Sequence, residues 1–328
     1  FPAPRVIDGL FAVAERLFGI RIVPAPELET YHPDVTAWAV QENGETRAWF
    51  YLDLHARANK RGGAWMADAR VRRRRDDGSL QKPIAFLTGN FSPPVDGRPA
   101  LLSHAEVTTL FHEFGHGIHH MLTEVEVAAV SGINGVAWDA VELPSQFMEN
   151  WCWTAEGLAL ISSHVDSGEP LPQALLDRLF AARNFQSGLM TLRQLEFSLF
   201  DLEIHRRPGV DFAAMLRILD EVRDITSVLR PPAWNRFACS FTHIFAGGYA
   251  AGYYSYKWAE VLSADAFAAF EEAGLTPEKL RETGRKFLEN ILSRGGSKEA
   301  AKLFREFRGR EPSIEPLLRH NGLVSEAA

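Results

Sequence analysis

The sequence has few cysteines and no excess of positive charge. Its two cysteines, Cys152 and Cys239, lie far apart and outside any C-x-x-C spacing, which argues against both a disulfide framework and a thiolate metal site. The 35 Lys and Arg residues are outnumbered by 42 Asp and Glu residues, whereas nucleic-acid binding requires a clustered basic face. We therefore predict a protein of a reducing compartment, the cytoplasm, that binds no nucleic acid.

The sequence has no long apolar run, and we expect its first residues to be no signal peptide. The longest stretch without a charged residue, residues 237–256, contains serine, threonine, histidine and glycine. So many polar residues are energetically unfavourable in a helix that faces lipid. Residues 1–10 lack the basic head and apolar core of a signal peptide. These absences predict that the chain binds no membrane. The composition, 46% apolar and 23% charged, is that of an ordinary globular protein.

The secondary-structure signals change from strand to helix along the chain. Apolar residues at helical spacing predict a first helix over residues 6–18. Short aromatic and β-branched runs then predict a small sheet formed by residues 36–41, 46–56 and 83–91. We interpret the arginine run at residues 70–75 as a solvated hairpin tip. From Ser103 onward the pattern is nearly all helical, so the predicted fold is mainly α with a small β-sheet.

One predicted helix, residues 103–122, carries a metal-binding motif. A serine followed three residues later by glutamate forms a capping box at its start, and apolar residues recur with a period near 3.6. The helix contains the H-E-x-x-H motif HEFGH at residues 112–116. Side chains four residues apart share one helix face, so His112 and His116 can converge on one Zn²⁺, with Glu113 beside the open coordination position.

The spacing leaves the third metal ligand open. His120 continues the ladder of histidines, but a ladder of three spans about 12 Å along the helix axis, too far for one tetrahedral ion. We expect His119 and His120 to hydrogen-bond polar partners instead. A carboxylate is the expected third ligand, and Glu142 and Glu149, two turns apart on a second predicted helix, both satisfy the spacing. Asp139 is a further candidate for supporting a ligand, or for a charge at a helix start.

A third cluster combines glycines with tyrosines. Gly247-Gly248 permits close approach of the backbone, and Tyr249, Tyr253 and Tyr256 follow at spacings of four and three, which predicts one helix side. Phenols on one face can donate hydrogen bonds to an oxyanion. From spacing alone, core packing is the favoured interpretation of the tyrosines. A structural role is likewise favoured for His243.

Three motifs together resemble the thimet oligopeptidase family of zinc metallopeptidases. They are FHEFGHGIHHML, VELPSQFMENWCW and HIFAGGYAAGYYSYKW, at residues 111–122, 141–153 and 243–258. The resemblance implies a zincin-type catalytic domain, mostly helical, with a small sheet beside the zinc. It assigns the Zn²⁺ ligands to His112, His116 and Glu142. It makes Glu113 the catalytic carboxylate, and it turns three further side chains toward the substrate: Tyr256, Tyr249 and His243.

The resemblance implies a zinc endopeptidase that hydrolyses short oligopeptides. Family members are about twice as long, and this chain begins without Met at a point that resembles their middle. We therefore expect residues 1–328 to be the C-terminal catalytic half, with an absent N-terminal half as a possible partner. Two alternatives stay open: a half that binds zinc and peptide but is inactive alone, and a dipeptidyl carboxypeptidase. The strand at residues 83–91 is expected to hold substrate backbone by edge pairing.

Overall fold

The computed structural model describes residues 1–324, in which a sheet-rich first third is followed by helices. The strands are β1 (Arg21–Pro24), β2 (Thr36–Glu42), β3 (Glu45–His55), β4 (Trp65–Arg70), β5 (Arg73–Arg74), β6 (Leu80–Gln81) and β7 (Ile84–Phe91). The helices are α1 (Ala3–Phe18), α2 (His104–Met121), α3 (Trp138–Val141), α4 (Leu143–Glu149), α5 (Ala155–Ile161), α6 (Gln173–Arg183), α7 (Ser187–Arg206), α8 (Phe212–Thr226), α9 (Phe237–Ser240), α10 (Thr242–Ala246), α11 (Ser255–Ala273), α12 (Pro277–Asn290), α13 (Ala300–Arg308) and α14 (Glu315–His320). The prediction of a mainly α fold with a small β-sheet is confirmed.

The main sheet has five strands in the order β1-β2-β3-β7-β4. Strands β1, β2 and β3 pair antiparallel, β7 lies parallel to β3, and β4 lies antiparallel to β7. The prediction that residues 83–91 present a free edge is wrong, because β7 forms backbone hydrogen bonds with a neighbouring strand on each side. Within residues 1–324, β4 pairs with β7 alone, so its other side is the sheet edge beside the site described below.

The arginine run forms the predicted hairpin. Strands β5 and β6 pair antiparallel, with Arg74 opposite Leu80, and a turn at residues 75–79 joins them. The side chains of Arg72 and Arg74 are occupied by the carboxylate of Glu126.

Helix α2 lies between the sheet and α4, and glycine permits both close contacts. Its capping box is present, with Ser103 and Glu106 exchanging hydrogen bonds. A side chain at Gly117 would come within 2.9 Å of Leu87 on β7, and one at Gly115 within 2.5 Å of the Pro144 carbonyl oxygen. The glycine inside the HEFGH motif therefore lets the start of α4 lie directly against the two histidines.

The hydrophobic core joins α1, the sheet, α2, α4, α11 and α12. Phe114 of α2 packs edge-on against Phe50 of β3, with ring centroids 5.9 Å apart. Phe147 of α4 stacks on Phe287 of α12 at 4.4 Å. Helix α2, which bears the HEFGH motif, and helix α4 are thus fixed by large buried side chains on the faces turned away from the site. No helix within residues 1–324 is long and apolar enough to cross a membrane.

Candidate metal centre and active-site cleft

Two imidazoles and one carboxylate meet where α2 faces the junction of α3 and α4. His112 and His116, one turn apart on α2, lie with Nε2 atoms 3.3 Å and 3.0 Å from Oε2 of Glu142. One ligand atom from each of the three residues lies within 4.8 Å of the others. Two imidazole nitrogens and a carboxylate oxygen form a donor set that Zn²⁺ prefers. The three side chains therefore fit a single metal ion.

Polar neighbours orient two members of this group. Nδ1 of His112 lies 2.6 Å from Oε1 of Glu149, and Ser145 donates its hydroxyl to Oε2 of Glu142 at 3.0 Å. A carboxylate on Nδ1 fixes the orientation of a histidine ring, so that its Nε2 is the atom turned toward a metal position. Of the two carboxylates that spacing left open, Glu142 lies against both histidines, and Glu149 contacts His112 through Nδ1.

The charges in this group stabilise one another. Burial lowers the pKa of His112, but hydrogen bonds to Glu142 and Glu149 outweigh it and raise the pKa to about 10. Burial raises the pKa of Glu142, but hydrogen bonds from His112 and His116 outweigh it and hold the pKa well below its usual range. Glu142 is thus a full anion at neutral pH. A buried anion between two imidazoles is suited to a cation in the same place.

Glu113 lies in the same cleft but outside the three-residue group. Its side chain is buried, and burial raises the pKa of its carboxyl, against smaller opposing contributions from the charges of His112 and His116 and from a hydrogen bond with the Met66 backbone. A carboxylate with a raised pKa is a stronger base than one in water. Glu113 therefore combines the position and the basicity required of a group that accepts a proton beside a metal.

Two tyrosines close the other side of the cleft. The rings of Tyr249 and Tyr256 stack with centroids 4.9 Å apart, and the Tyr249 hydroxyl donates to Oε1 of Glu142 at 3.2 Å. Burial, joined by the charge of Glu142, raises the pKa of Tyr249 to about 12. Burial and the hydrogen bond with Tyr249 raise the pKa of Tyr256 as well. Both phenols stay protonated near neutral pH, so each keeps one O–H donor at the cleft wall, which Tyr249 gives to Glu142 in this structure.

The prediction that the tyrosines share one side of a helix is wrong. Tyr256 lies in the first turn of α11, whereas Tyr249 and Tyr253 lie in the turns that precede it. Gly248 and Ala251 have positive φ angles of 84° and 54°, so the backbone folds back instead of continuing α10. The three rings nevertheless cluster, because this folded segment returns Tyr249 to the side of Tyr256.

The cleft has a volume of about 660 Å³, within the usual range of ligand sites. It is bounded by the edge strand β4, by α2 and by the segment that leads into α3. Trp65 and Met66 contribute the β4 wall, and Trp138 packs edge-on against Tyr249 with ring centroids 4.7 Å apart. An open strand edge beside acid, base and metal-ligand groups is an arrangement that can hold an extended peptide.

Comparisons with known proteins place the chain in a family. The sequence model of Peptidase family M3 matches residues 1–323. The chain belongs to family M3. The M3 chain is 57% identical over 325 residues to oligopeptidase A of Escherichia coli (strain K12), covering 98% of this chain and 47% of the relative. It is 37% identical over 326 residues to the dipeptidyl carboxypeptidase of the same organism, covering 96% of this chain and 46% of the relative.

The M3 chain spans about half the length of the curated relatives it matches. The predicted resemblance to the thimet oligopeptidase family is confirmed by these matches. Among solved structures, the Pyrococcus furiosus carboxypeptidase has a TM-score of 0.56 at 15% identity, covering 98% of this chain and 58% of that one. This similarity concerns the fold, which is that of a zincin-type metallopeptidase, as predicted.

Other predicted residues of the M3 chain lie outside the cleft. His243 is exposed; its ring lies 6.2 Å from those of Tyr249 and Tyr256, and it lines an adjoining cavity of about 390 Å³. Asp139 accepts from the Tyr254 hydroxyl at 3.4 Å. His120 hydrogen-bonds the Arg70 carbonyl oxygen at 2.9 Å, as predicted.

His119 differs from the prediction that it has a polar partner. It is fully buried, and among residues 1–324 neither ring nitrogen has a hydrogen-bond partner. Burial lowers its pKa to about 3. The imidazole is therefore neutral and serves as packing behind the metal centre.

Three residues of the M3 chain that contact the cleft residues were not predicted from the sequence. Ser145 holds Glu142, Trp138 packs on Tyr249, and the side-chain amide of Gln146 donates to the Tyr256 carbonyl oxygen at 3.1 Å. Ser145 follows Glu142 at a spacing of three, from which a serine hydroxyl can donate back to a residue one turn earlier. The other two contacts join segments far apart in sequence and had no local signal.

Proposed function

We propose that this M3 chain is the catalytic part of a zinc metalloendopeptidase that hydrolyses short oligopeptides. The observation that carries the proposal is the meeting of His112, His116 and Glu142 at one point, with Glu113 beside them in a cleft walled by a strand edge. In this assignment the first three residues hold Zn²⁺. Bound there, the ion would supply Lewis acidity, which lowers the pKa of water and polarises a carbonyl.

The residues of the chain divide the remaining work. Glu113 accepts a proton from the attacking water and delivers it to the leaving amine nitrogen, and its raised pKa favours the first transfer. Glu149 fixes the orientation of His112 through Nδ1. The backbone of β4 holds the substrate in extended form by adding it as a further strand. Trp65 lines the cleft on the β4 side and Trp138 on the tyrosine side, where both offer apolar surface to a bound peptide.

Tyr256 and Tyr249 are assigned to the oxyanion. Both phenols are protonated at neutral pH and are directed toward the cleft by their stacking and by the contact with Glu142. His243 is assigned a lesser part, in which it supports the Tyr253 and Tyr256 rings at 5.6 Å and 6.2 Å or contacts substrate beyond them.

Changing Tyr256 to phenylalanine tests this assignment. We expect kcat to fall by about 10² to 10³, the cost of one lost oxyanion donor, with a smaller change in KM because the ring still packs on Tyr249. Steady-state kinetics on a quenched peptide measure both constants. Tyr254→Phe is the matched control, since Tyr254 donates to Asp139 away from the metal group. An unchanged kcat for Tyr256→Phe would assign that tyrosine to packing.

Product mapping distinguishes endopeptidase from dipeptidyl carboxypeptidase activity. The chain is incubated with a mixed peptide pool before and after removal of metal by a chelator, and the products are identified by mass spectrometry. The proposal expects internal cleavages that stop on metal removal and return with Zn²⁺. Products that are always C-terminal dipeptides would assign the second activity, which is carried by the relative of 37% identity.

The proposal includes a further segment that completes the enzyme. We take residues 1–328 as the C-terminal catalytic half of a longer enzyme: the relatives are about twice as long, and this chain holds the candidate metal group. Large apolar side chains are exposed on α7, α8 and their flanks, including Met190, Ile225, Leu229 and Trp234, a pattern typical of a surface that another segment covers. If the chain binds Zn²⁺ but cleaves only when the remaining half is added, residues 1–328 are an incomplete enzyme.

A cytoplasmic location is also part of the proposal. Cys152 and Cys239, the cysteines of the described chain, are both unpaired, as expected of a protein in a reducing compartment.

A further inference from the structure

One fully buried carboxylate outside the cleft is bonded to the segment that carries the tyrosines. Asp201 lies on α7 with no exposed surface. Its Oδ1 accepts from the backbone N–H of Ala251 and its Oδ2 from that of Tyr253, each at 2.9 Å. A carboxylate that receives two backbone amides is held by charge-assisted hydrogen bonds, which are stronger than those between neutral groups.

The two amides belong to the turn segment, residues 247–254, that connects α10 to α11. Ala251 has a positive φ of 54°, which few residues other than glycine adopt without support. The Tyr249 amide donates to the His243 carbonyl oxygen on α10, and within the segment the Gly252 amide donates to the Tyr249 carbonyl oxygen. The Asp201 carboxylate binds the middle of this folded backbone and so stabilises the positive φ of Ala251.

Helix α7 holds the segment at further points. His205, one turn beyond Asp201, places Nδ1 2.9 Å from Oδ1 of Asp201 and 2.8 Å from its carbonyl oxygen. The Tyr253 hydroxyl donates to the Gln194 side chain at 3.2 Å. Tyr253 in turn packs on Tyr256, with ring centroids 5.2 Å apart. The position of both proposed oxyanion tyrosines therefore depends on contacts that originate on α7.

We propose that Asp201 is a positioning residue for Tyr249 and Tyr256: its carboxylate anchors the turn segment so that the two phenols face the metal centre. This inference rests on the proposed peptidase function. Asp201 itself contacts neither the metal ligands nor the cleft. Its effect on turnover passes through the backbone of Ala251 and Tyr253, and a misplacement of about 1 Å at the tyrosines is enough to reduce catalysis by about 10²-fold.

Asp201→Asn tests the proposal, with Glu196→Gln as the matched control. An asparagine side chain has one acceptor oxygen, so it cannot accept from both amides, and its NH₂ group would face an N–H donor. Glu196 lies on the same helix and is equally buried, and both of its oxygens accept hydrogen bonds, but from Arg193, Arg223 and Ser227 and not from the turn segment. The control therefore matches the helix, the burial and the lost charge.

The first measurement is amide hydrogen exchange in residues 247–254, which needs no turnover. Asp201→Asn should speed exchange at Ala251 and Tyr253 at least about tenfold, the effect of losing a hydrogen bond to a charged group, while Glu196→Gln leaves these amides unchanged. Equal exchange in the wild type and Asp201→Asn, or equal acceleration in both variants, would overturn the anchoring role.

The second measurement is steady-state kinetics with zinc content determined for each protein. We expect Asp201→Asn to lower kcat about 10- to 100-fold with a smaller change in KM and full zinc content, and Glu196→Gln to retain kcat. A kcat no lower than that of the control would overturn the positioning role. A wild-type chain that cleaves no peptide, alone or completed, would instead refute the proposed function, and hydrogen exchange would still decide whether Asp201 anchors the segment.

Discussion

Replacing Glu113 with glutamine should reduce peptide turnover by about 10² to 10⁴, the contribution typical of a positioned general base. Glutamine keeps the size of the side chain but cannot accept a proton, so the attacking water loses its base and the leaving amine loses its proton donor. The two imidazoles and Glu142 are untouched by the change. Zinc content, measured by elemental analysis, should therefore equal that of the wild type.

The control for this change lies on the same helix. Glu106 carries the same chemical group, but it serves the capping box at the start of α2, a function that glutamine also performs. Glu106→Gln should therefore retain both zinc and turnover. Retained turnover in Glu113→Gln with zinc still bound would refute the assignment of Glu113 as the base, and lost zinc would show that the carboxylate supports the metal instead.

The helix that bears the motif was predictable in full because all its signals are local. The capping box, the apolar period and the H-E-x-x-H spacing lie within residues 103–122, and α2 spans His104–Met121. The glycine inside the motif was also informative, since its missing side chain admits the start of α4. The short contacts of His112 and His116 with Glu142 follow from that approach.

The choice between Glu142 and Glu149 could not be made from spacing, because spacing assumed one continuous helix. The chain instead turns between α3 and α4, and Glu142 lies at that junction with φ of −83° and ψ of −5°. The junction sets Glu142 against both imidazoles while Glu149, at the end of α4, reaches His112 from the opposite side. Family resemblance favoured Glu142, the carboxylate that the structure places against both imidazoles, where periodicity made no choice.

The predictions for the tyrosine segment and for the sheet edge were wrong for the same physical reason. Their geometry depends on backbone partners far away in sequence: Asp201 for the turn segment, and β3 and β4 for strand β7. A strand pattern identifies a strand but not its neighbours. Likewise, tyrosines at helical spacing cannot reveal that a carboxylate fifty residues earlier holds their backbone in a turn.

Replacing Glu142 with glutamine should have the largest effect on metal binding. The carboxylate lies between His112 and His116, so its charge and one of its oxygens are lost from the ligand set at once. Glu149→Gln is the informative comparison, because Glu149 contacts only Nδ1 of His112 within this group. Loss of a group that orients a ligand typically costs about 10- to 100-fold in metal affinity. We expect Glu149→Gln to fall in this range and Glu142→Gln to exceed it.

Competition titration with a zinc chelator measures both affinities on the same chain, and thermal unfolding with and without Zn²⁺ gives an independent value, because a metal that binds the folded state raises its stability according to its affinity. The order of the two variants is the decisive result. If Glu149→Gln loses more affinity than Glu142→Gln, the third ligand is Glu149 and the contact at 2.6 Å with His112 is a property of the metal-free chain alone. If neither variant loses affinity, the ion is held elsewhere, and the assignment of Glu113 and the two tyrosines to catalysis loses its basis, since all three were assigned by their place in the cleft around this group.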